Sequence, residues 1–219
     1  MLLSASRLDP LRILHVYRTY FPDTQGGLEE VIRQICLNTQ PHGTENRVLT
    51  ISPTGGGDPI QLPEALVFRQ KLSIEIASCS MSWSAFPRFK ELVDWADVVH
   101  YHHPWPFADM MHFSIRVRKP TLLTYHSDIV RQKLLSRIYS PLMNKFLRDV
   151  DRIVCTSENY FATSEVLTRF SEKVDVIPIG IDEGSHPPPS ATTTDLANRQ
   201  QPRNDATRPV RLVVERQPD

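Results

Sequence analysis

A doubly wound α/β layer built on a mostly parallel sheet is the fold that this sequence predicts. Three features point to it. Short apolar runs rich in Val, Ile and Leu recur between residues 11 and 182, as strands buried on both faces require. Amphipathic stretches at helical spacing separate them. Residues 183–219 carry neither pattern, so the folded layer is expected over 11–182 and a disordered or aberrant tail over 183–219.

Taken in order, Arg12 to Tyr17 (RILHVY) reads as the first strand. Leu28, Val31, Ile32, Ile35 and Cys36 then step along one face of a helix ending near Thr39. Arg47 to Ser52 is a second strand, and Ala65 to Arg69 and Ser73 to Ser78 are weaker ones. Phe86, Phe89, Leu92, Val93 and Ala96 return to helical spacing. Asp97 to His102 is a strand and Phe107 to Val117 a helix. Pro120 to Tyr125 is a strand with proline at its first position, where no ladder donor is needed. Ile129 to Leu147 makes the longest helix. Arg152 to Thr156, Glu158 to Phe170 and Val174 to Ile179 complete the series as strand, helix and strand. Right-handed crossovers between such strands give a Rossmann-like sandwich.

Composition narrows the function classes. Lys+Arg equals Asp+Glu at 25 each, so no basic excess argues for a nucleic-acid partner. Cys36, Cys79 and Cys155 are widely spaced and odd in number, which speaks for buried reduced thiols in a cytoplasmic protein rather than disulfides or a zinc knuckle. No run of about 18 apolar residues suggests a spanning helix. Contact with a membrane is therefore expected to be peripheral, on its inner face.

Ligands of doubly wound sheets bind beyond the carboxyl ends of the strands, so the residues just past each strand are the candidates. After the first strand come Gly26 and Gly27, at the start of a helix. Free amides and the positive helix end there suit an anion, and the glycines let its backbone approach. The pattern is neither GxGxxG nor a Walker loop, which removes support from a nicotinamide or simple P-loop reading. Further along the sheet, His100 and His102 alternate to one strand face and His103 to the other. A metal there would need a third ligand of suitable reach, and none is expected; instead His102 and His103 are read as lining a polar pocket mouth, with Trp105 as a sugar platform or a core residue. His126 stands at the tip of another strand, followed by Ser127 and Asp128, which also suit a helix cap. Arg131, in the first turn of the next helix, opposes the helix dipole, which points to a ligand role. With Lys133, Arg137, Lys145 and Arg148 that helix also suits a resting place on anionic lipid.

These pieces, met in this order, resemble one family. LRILHVYRTYFPDTQGGLEEVIRQI, ADVVHYHHPWP, TYHSD, VCTSE and VIPIGID are similar to the amino-terminal half of family 4 retaining glycosyltransferases of the GT-B fold. The resemblance implies a domain that binds the acceptor, facing a second domain that holds a nucleotide-diphosphate sugar. It places Gly26 and Gly27 against the donor diphosphate and makes His126 the catalytic residue beside the reacting sugar. Ser127 and Arg131 would face the acceptor, a glycan or lipid-linked sugar, and His102 and His103, read above as lining the pocket mouth, are taken as acceptor-binding with them. No cofactor and no metal are implied, the sugar nucleotide being a co-substrate.

The resemblance stops at Ile179-Gly180-Ile181-Asp182. The Arg/Lys pair and Glu-x7-Glu motif of the family's donor half have no counterpart in residues 183–219, which are too few and too polar for a second layer. The expectation is a truncated product, inactive alone or complemented by a separate donor-domain chain. The competing expectation is an acceptor- or lipid-binding module with no chemistry.

Overall fold

The structure, a computed structural model, describes residues 9–128 and 133–180, without the side chains of 133–138. The chain divides into two units, 1–181 and 182–219, and every described residue belongs to the first.

Among the described residues ten strands and six helices follow in order: β1 Leu11–Val16, α1 Gly27–Thr39, β2 Thr44–Ser52, β3 Ile60–Gln61, β4 Leu66–Lys71, β5 Ile74–Ile76, β6 Cys79–Met81, α2 Ala85–Trp95, β7 Val98–His103, α3 Pro106–Ile115, β8 Thr121–Tyr125, α4 Lys133–Asp149, β9 Arg152–Cys155, α5 Glu158–Thr163, α6 Glu165–Thr168 and β10 Val174–Val176. The main sheet has the order β10-β9-β8-β7-β1-β2-β4-β3, parallel throughout except for the β3–β4 edge pair. This is the mostly parallel Rossmann-like layer that the sequence predicts, its order reversing direction between β1 and β7.

The two faces of the sheet are covered differently, as right-handed crossovers running outward in both directions from β1 dictate. On one face Leu14, Val16, Val99, Tyr101, Leu123, Tyr125, Ile153 and Cys155 form a core with Phe89 and Leu92 of α2, Phe107 and Met111 of α3, Phe146 and Leu147 of α4 and Leu167 of α6. On the other, α1 packs Ile32 and Cys36 against Tyr17, Val48 and Val67 in a smaller cluster.

Three details depart from the sequence reading. The weak strand expected at 73–78 is half of a separate antiparallel hairpin, β5–β6, outside the main sheet. The single helix expected over 158–170 is two short ones, because Ser164 leaves helical geometry and its hydroxyl accepts from the Leu167 amide to cap α6. Cys36 and Cys155 are buried, but Cys79, on the hairpin, is only half-buried. Of the two readings of Trp105, the core one holds: it is 1% exposed, and its indole donates to the Ser80 carbonyl. The tail reading and the start of the longest helix, 129–132, lie outside the described residues. Among the described residues no helix is long and apolar enough to cross a membrane.

Candidate functional site

All parallel strands end at one edge of the sheet, and that edge collects the polar side chains. β1 and β8 both flank β7, so their carboxyl tips stand roughly 10 Å apart, two strand spacings. Residues 17–26 lead from β1 into α1, and His126 follows β8 directly, its amide donating to the His103 carbonyl at 3.1 Å. The glycine turn and His126 therefore share a sheet edge.

Gly26 is the N-cap of α1, in extended geometry. Its hydrogen faces the helix's own Glu29: a Cβ at this position would meet Glu29 Oε2 at 2.7 Å, whereas one at Gly27 would meet nothing. Glu29 is 8% exposed, and its Oε1 accepts from the Thr24 hydroxyl at 2.9 Å. The positive helix end, read from the sequence as an anion site, thus already faces a carboxylate, which the helix dipole favours. An incoming phosphate must move that side chain or share the donors with it.

On the α1 face of the sheet, beside this turn, stand four imidazoles. His15 of β1 pairs in register with His100 of β7, and His102 follows on the same face. His15 Nδ1 lies 3.3 Å from His102 Nε2, and His102 Nδ1 lies 3.3 Å from His126 Nε2. His15 Nε2 lies 3.4 Å from Asn46 Oδ1, and His100 Nε2 lies 2.7 Å from the Thr124 hydroxyl. The rings of His102 and His126 stack at 5.5 Å. Burial disfavours the charged form of each ring: His15 and His126 are pushed down to about 4, and His100 and His102 well below the ordinary imidazole range. All four are neutral near pH 7.

The sequence reading found no third histidine for a metal at His100 and His102; the fold brings His15 there. Ligand atoms of the three lie within 4.8 Å of one another. Tetrahedral zinc with bonds of 2.0–2.1 Å holds its nitrogens about 3.3 Å apart, and His15 Nδ1 and His102 Nε2 have that separation. The ring nitrogens of the group also face one another and polar neighbours as hydrogen-bonding pairs.

The remaining predicted residues fall into separate settings. His102 and His103 were expected at a pocket mouth, yet both are 1% exposed. His103 turns to the opposite face of the sheet and stacks on Tyr125 at 4.5 Å. Neither of its ring nitrogens has a hydrogen-bond partner among the described residues, and desolvation pushes it down to about 3. A buried N–H without a partner costs about 1–3 kcal/mol. Asp128 Oδ1 accepts from Tyr125 and Ser164, tying the tip of β8 to α6. Ser127 follows His126 at the same edge. Arg131 lies outside the described residues. Sequence reading missed His15, Asn46 and Glu29. A histidine inside the apolar run RILHVY was a signal for the first, but nothing local pairs it with His102.

The sequence model described as Glycosyltransferase Family 4 matches residues 25–184. The chain belongs to glycosyltransferase family 4. Within it, the chain is 46% identical over 180 residues to D-rhamnosyltransferase WbpZ of Pseudomonas aeruginosa, covering 82% of this chain and 47% of that protein. It is 44% identical over 173 residues to O-antigen chain mannosyltransferase C of Escherichia coli, covering 79% and 47%. The chain spans about half the length of the curated relatives it matches. Among solved structures, sucrose-phosphate synthase from Thermosynechococcus elongatus superposes with a TM-score of 0.58 at 15% identity, over 85% of this chain and 52% of that one. Trehalose-6-phosphate synthase OtsA does so with 0.54 at 14%, over 85% and 55%. These two share the family 4 chain's fold, that of one half of a GT-B enzyme.

Proposed function

We propose that this chain is the acceptor-side half of a family 4 glycosyltransferase that moves a hexose from a nucleotide-diphosphate sugar to a hydroxyl of a glycan or lipid-linked acceptor, with retention at the anomeric carbon. The observation that carries the reading is the shared edge of the parallel sheet, within the residues that match the family, where the Gly26-Gly27 turn and His126 both stand. In this reading the amides of Gly26 and Gly27 approach the donor diphosphate once Glu29 yields. His126 lies beside the reacting sugar, where a neutral imidazole orients a hydroxyl. Ser127, Arg131, His102 and His103 serve the acceptor side, and the ring nitrogens of His103, which have no partner among the described residues, support that part of the assignment.

The reading puts the donor-binding half in the part of the relatives that this chain does not match. Alone it is then inactive, since catalysis here is mostly positioning and stabilisation of the departing diphosphate, which two halves share. The relatives' names, a D-rhamnosyltransferase and a mannosyltransferase, support a deoxyhexose or hexose as the sugar. A place at the inner face of the membrane, where a lipid-linked acceptor would be met, is part of the same proposal.

The purified chain should turn over neither UDP- nor GDP-sugars by itself, and should gain transfer to a lipid-linked acceptor when a donor-half polypeptide from a relative is added. Robust turnover by the isolated chain would overturn the inactive half. Binding to liposomes with no response to sugar nucleotide or donor half would favour the non-catalytic binding module.

A further inference from the structure

The tautomers of the imidazole row follow from one fixed end. Asn46 Nδ2 lies 3.2 Å from the Cys36 carbonyl, a group that can only accept, so the amide nitrogen must face it. That leaves Oδ1, also only an acceptor, facing His15 Nε2 at 3.4 Å. His15 must donate there, so its Nε2 carries the hydrogen. As a neutral ring, His15 then has Nδ1 as its acceptor, and His102 Nε2 must donate to it at 3.3 Å. His102 in turn accepts at Nδ1, and His126 Nε2 must donate at 3.3 Å. Each bond is long, but the sense of all three is forced by the first. His15 and His102 sit on neighbouring strands of one sheet and His126 directly follows the next, its amide donating to the His103 carbonyl, so the order of the rings is set by backbone pairing.

We infer that Asn46, His15 and His102 are positioning residues that hold His126 as its Nε2–H tautomer, presenting Nδ1 as an acceptor for a sugar hydroxyl. This rests on the reading of His126 as the residue beside the sugar, but the tautomer is a property of the protein without substrate. A ring so held receives a hydrogen bond at Nδ1 and gives none there, so it selects a hydroxyl over a phosphate oxygen. Protonating His15 or His102 would put hydrogens on both sides of one N···N contact and break the sequence of donors, and protonating His126 would remove its Nδ1 acceptor.

The test is 15N-edited NMR of the full chain at pH 7, with labelled histidines. Expected are pyrrole-type Nε2 and pyridine-type Nδ1 signals for His15, His102 and His126. Nitrogen–nitrogen couplings across hydrogen bonds should join His126 Nε2 to His102 Nδ1 and His102 Nε2 to His15 Nδ1. A hydrogen on Nδ1 of any of the three, or a doubly protonated ring, would overturn the inference without touching the transferase reading. Asn46→Leu should abolish the His102–His15 coupling and leave His126 exchanging between tautomers. A folded Asn46→Leu protein whose His126 signals are unchanged would show that the row does not position it. The spectrum of the unsubstituted chain decides the matter even if that variant fails to fold.

Discussion

The two faces of the central strands solve the same packing problem with opposite chemistry. Under α2, α3, α4 and α6, β1, β7 and β8 present Leu14, Val16, Val99, Tyr101, Leu123 and Tyr125. Under α1 the intervening positions of those strands include His15, His100, His102 and Thr124, all buried. The first face is held by removal of apolar area from water, which tolerates no particular order of contacts. The second is held by hydrogen bonds whose direction must be consistent from one ring to the next, and an inconsistent partner leaves a buried polar group exposed to nothing. The apolar face therefore supplies stability, and the imidazole face supplies a defined arrangement at the site edge.

That contrast can be broken most strongly on the apolar face. Leu123→Ala, at a fully buried position in β8, should lower the unfolding free energy by about 2–5 kcal/mol through lost transfer energy and a residual cavity, read from urea denaturation.

Acid should act next, and chiefly on the imidazoles. Folded-state values of His15 and His126 near 4 and His103 near 3 lie below the ordinary 6.5, so the unfolded chain takes up protons first as pH falls. Their contribution is complete above about 6.5 and is lost as pH drops through 4 for His15 and His126 and through 3 for His103. Asp109, pushed up to about 8 by burial, works against this, because its folded form keeps a proton that the unfolded chain has lost above pH 4. Several rings oppose one carboxyl, so stability should fall by a few kcal/mol between pH 6.5 and 4. Thermal unfolding followed across that range checks it, and a flat profile would mean that the imidazoles are solvated.

A narrower break is His102→Leu, which preserves volume but leaves His15 without its donor and His126 without its acceptor. The expected loss is about 1–3 kcal/mol in the same denaturation assay, smaller than for Leu123→Ala. An equal or larger loss would mean that the polar row contributes to stability as much as the core does.

The smallest effect sharpens the site rather than the fold. Glu29→Gln should tighten binding of inorganic phosphate or UDP about two- to five-fold by calorimetry, since one carboxylate beside a helix end is worth about 0.3–1 kcal/mol. Unchanged binding would show that the anion does not come to that helix end.

Much of this was legible in the chain itself. The apolar runs gave the parallel strands of the main sheet to within three residues at each end, because strands buried on both faces cannot hide their composition. The helical spacing of Leu28 to Cys36 and of Phe86 to Ala96 reported the faces that α1 and α2 bury. The hairpin at β5–β6 was read as a single strand because its pairing is local and half-exposed, with little apolar pattern to mark it. The break at Ser164 was invisible because serine is tolerated inside helices, and only its tie to Asp128 and the cap on α6 decide against one.

By itself the sequence determined the layer, the edge where a ligand would bind, and which histidines stand on which face of their own strand, since alternation along a strand is a local property. Only the tertiary structure decided that His15 and Asn46 join them. Residues 15, 46, 102 and 126 are brought into one row by the crossovers that order β8, β7, β1 and β2 side by side, and no spacing along the chain encodes that order. The same is true of Glu29, whose reach back to Gly26 depends on how the turn enters α1. Periodicity is written residue by residue, whereas neighbours across a sheet exist only once the strands have taken their places.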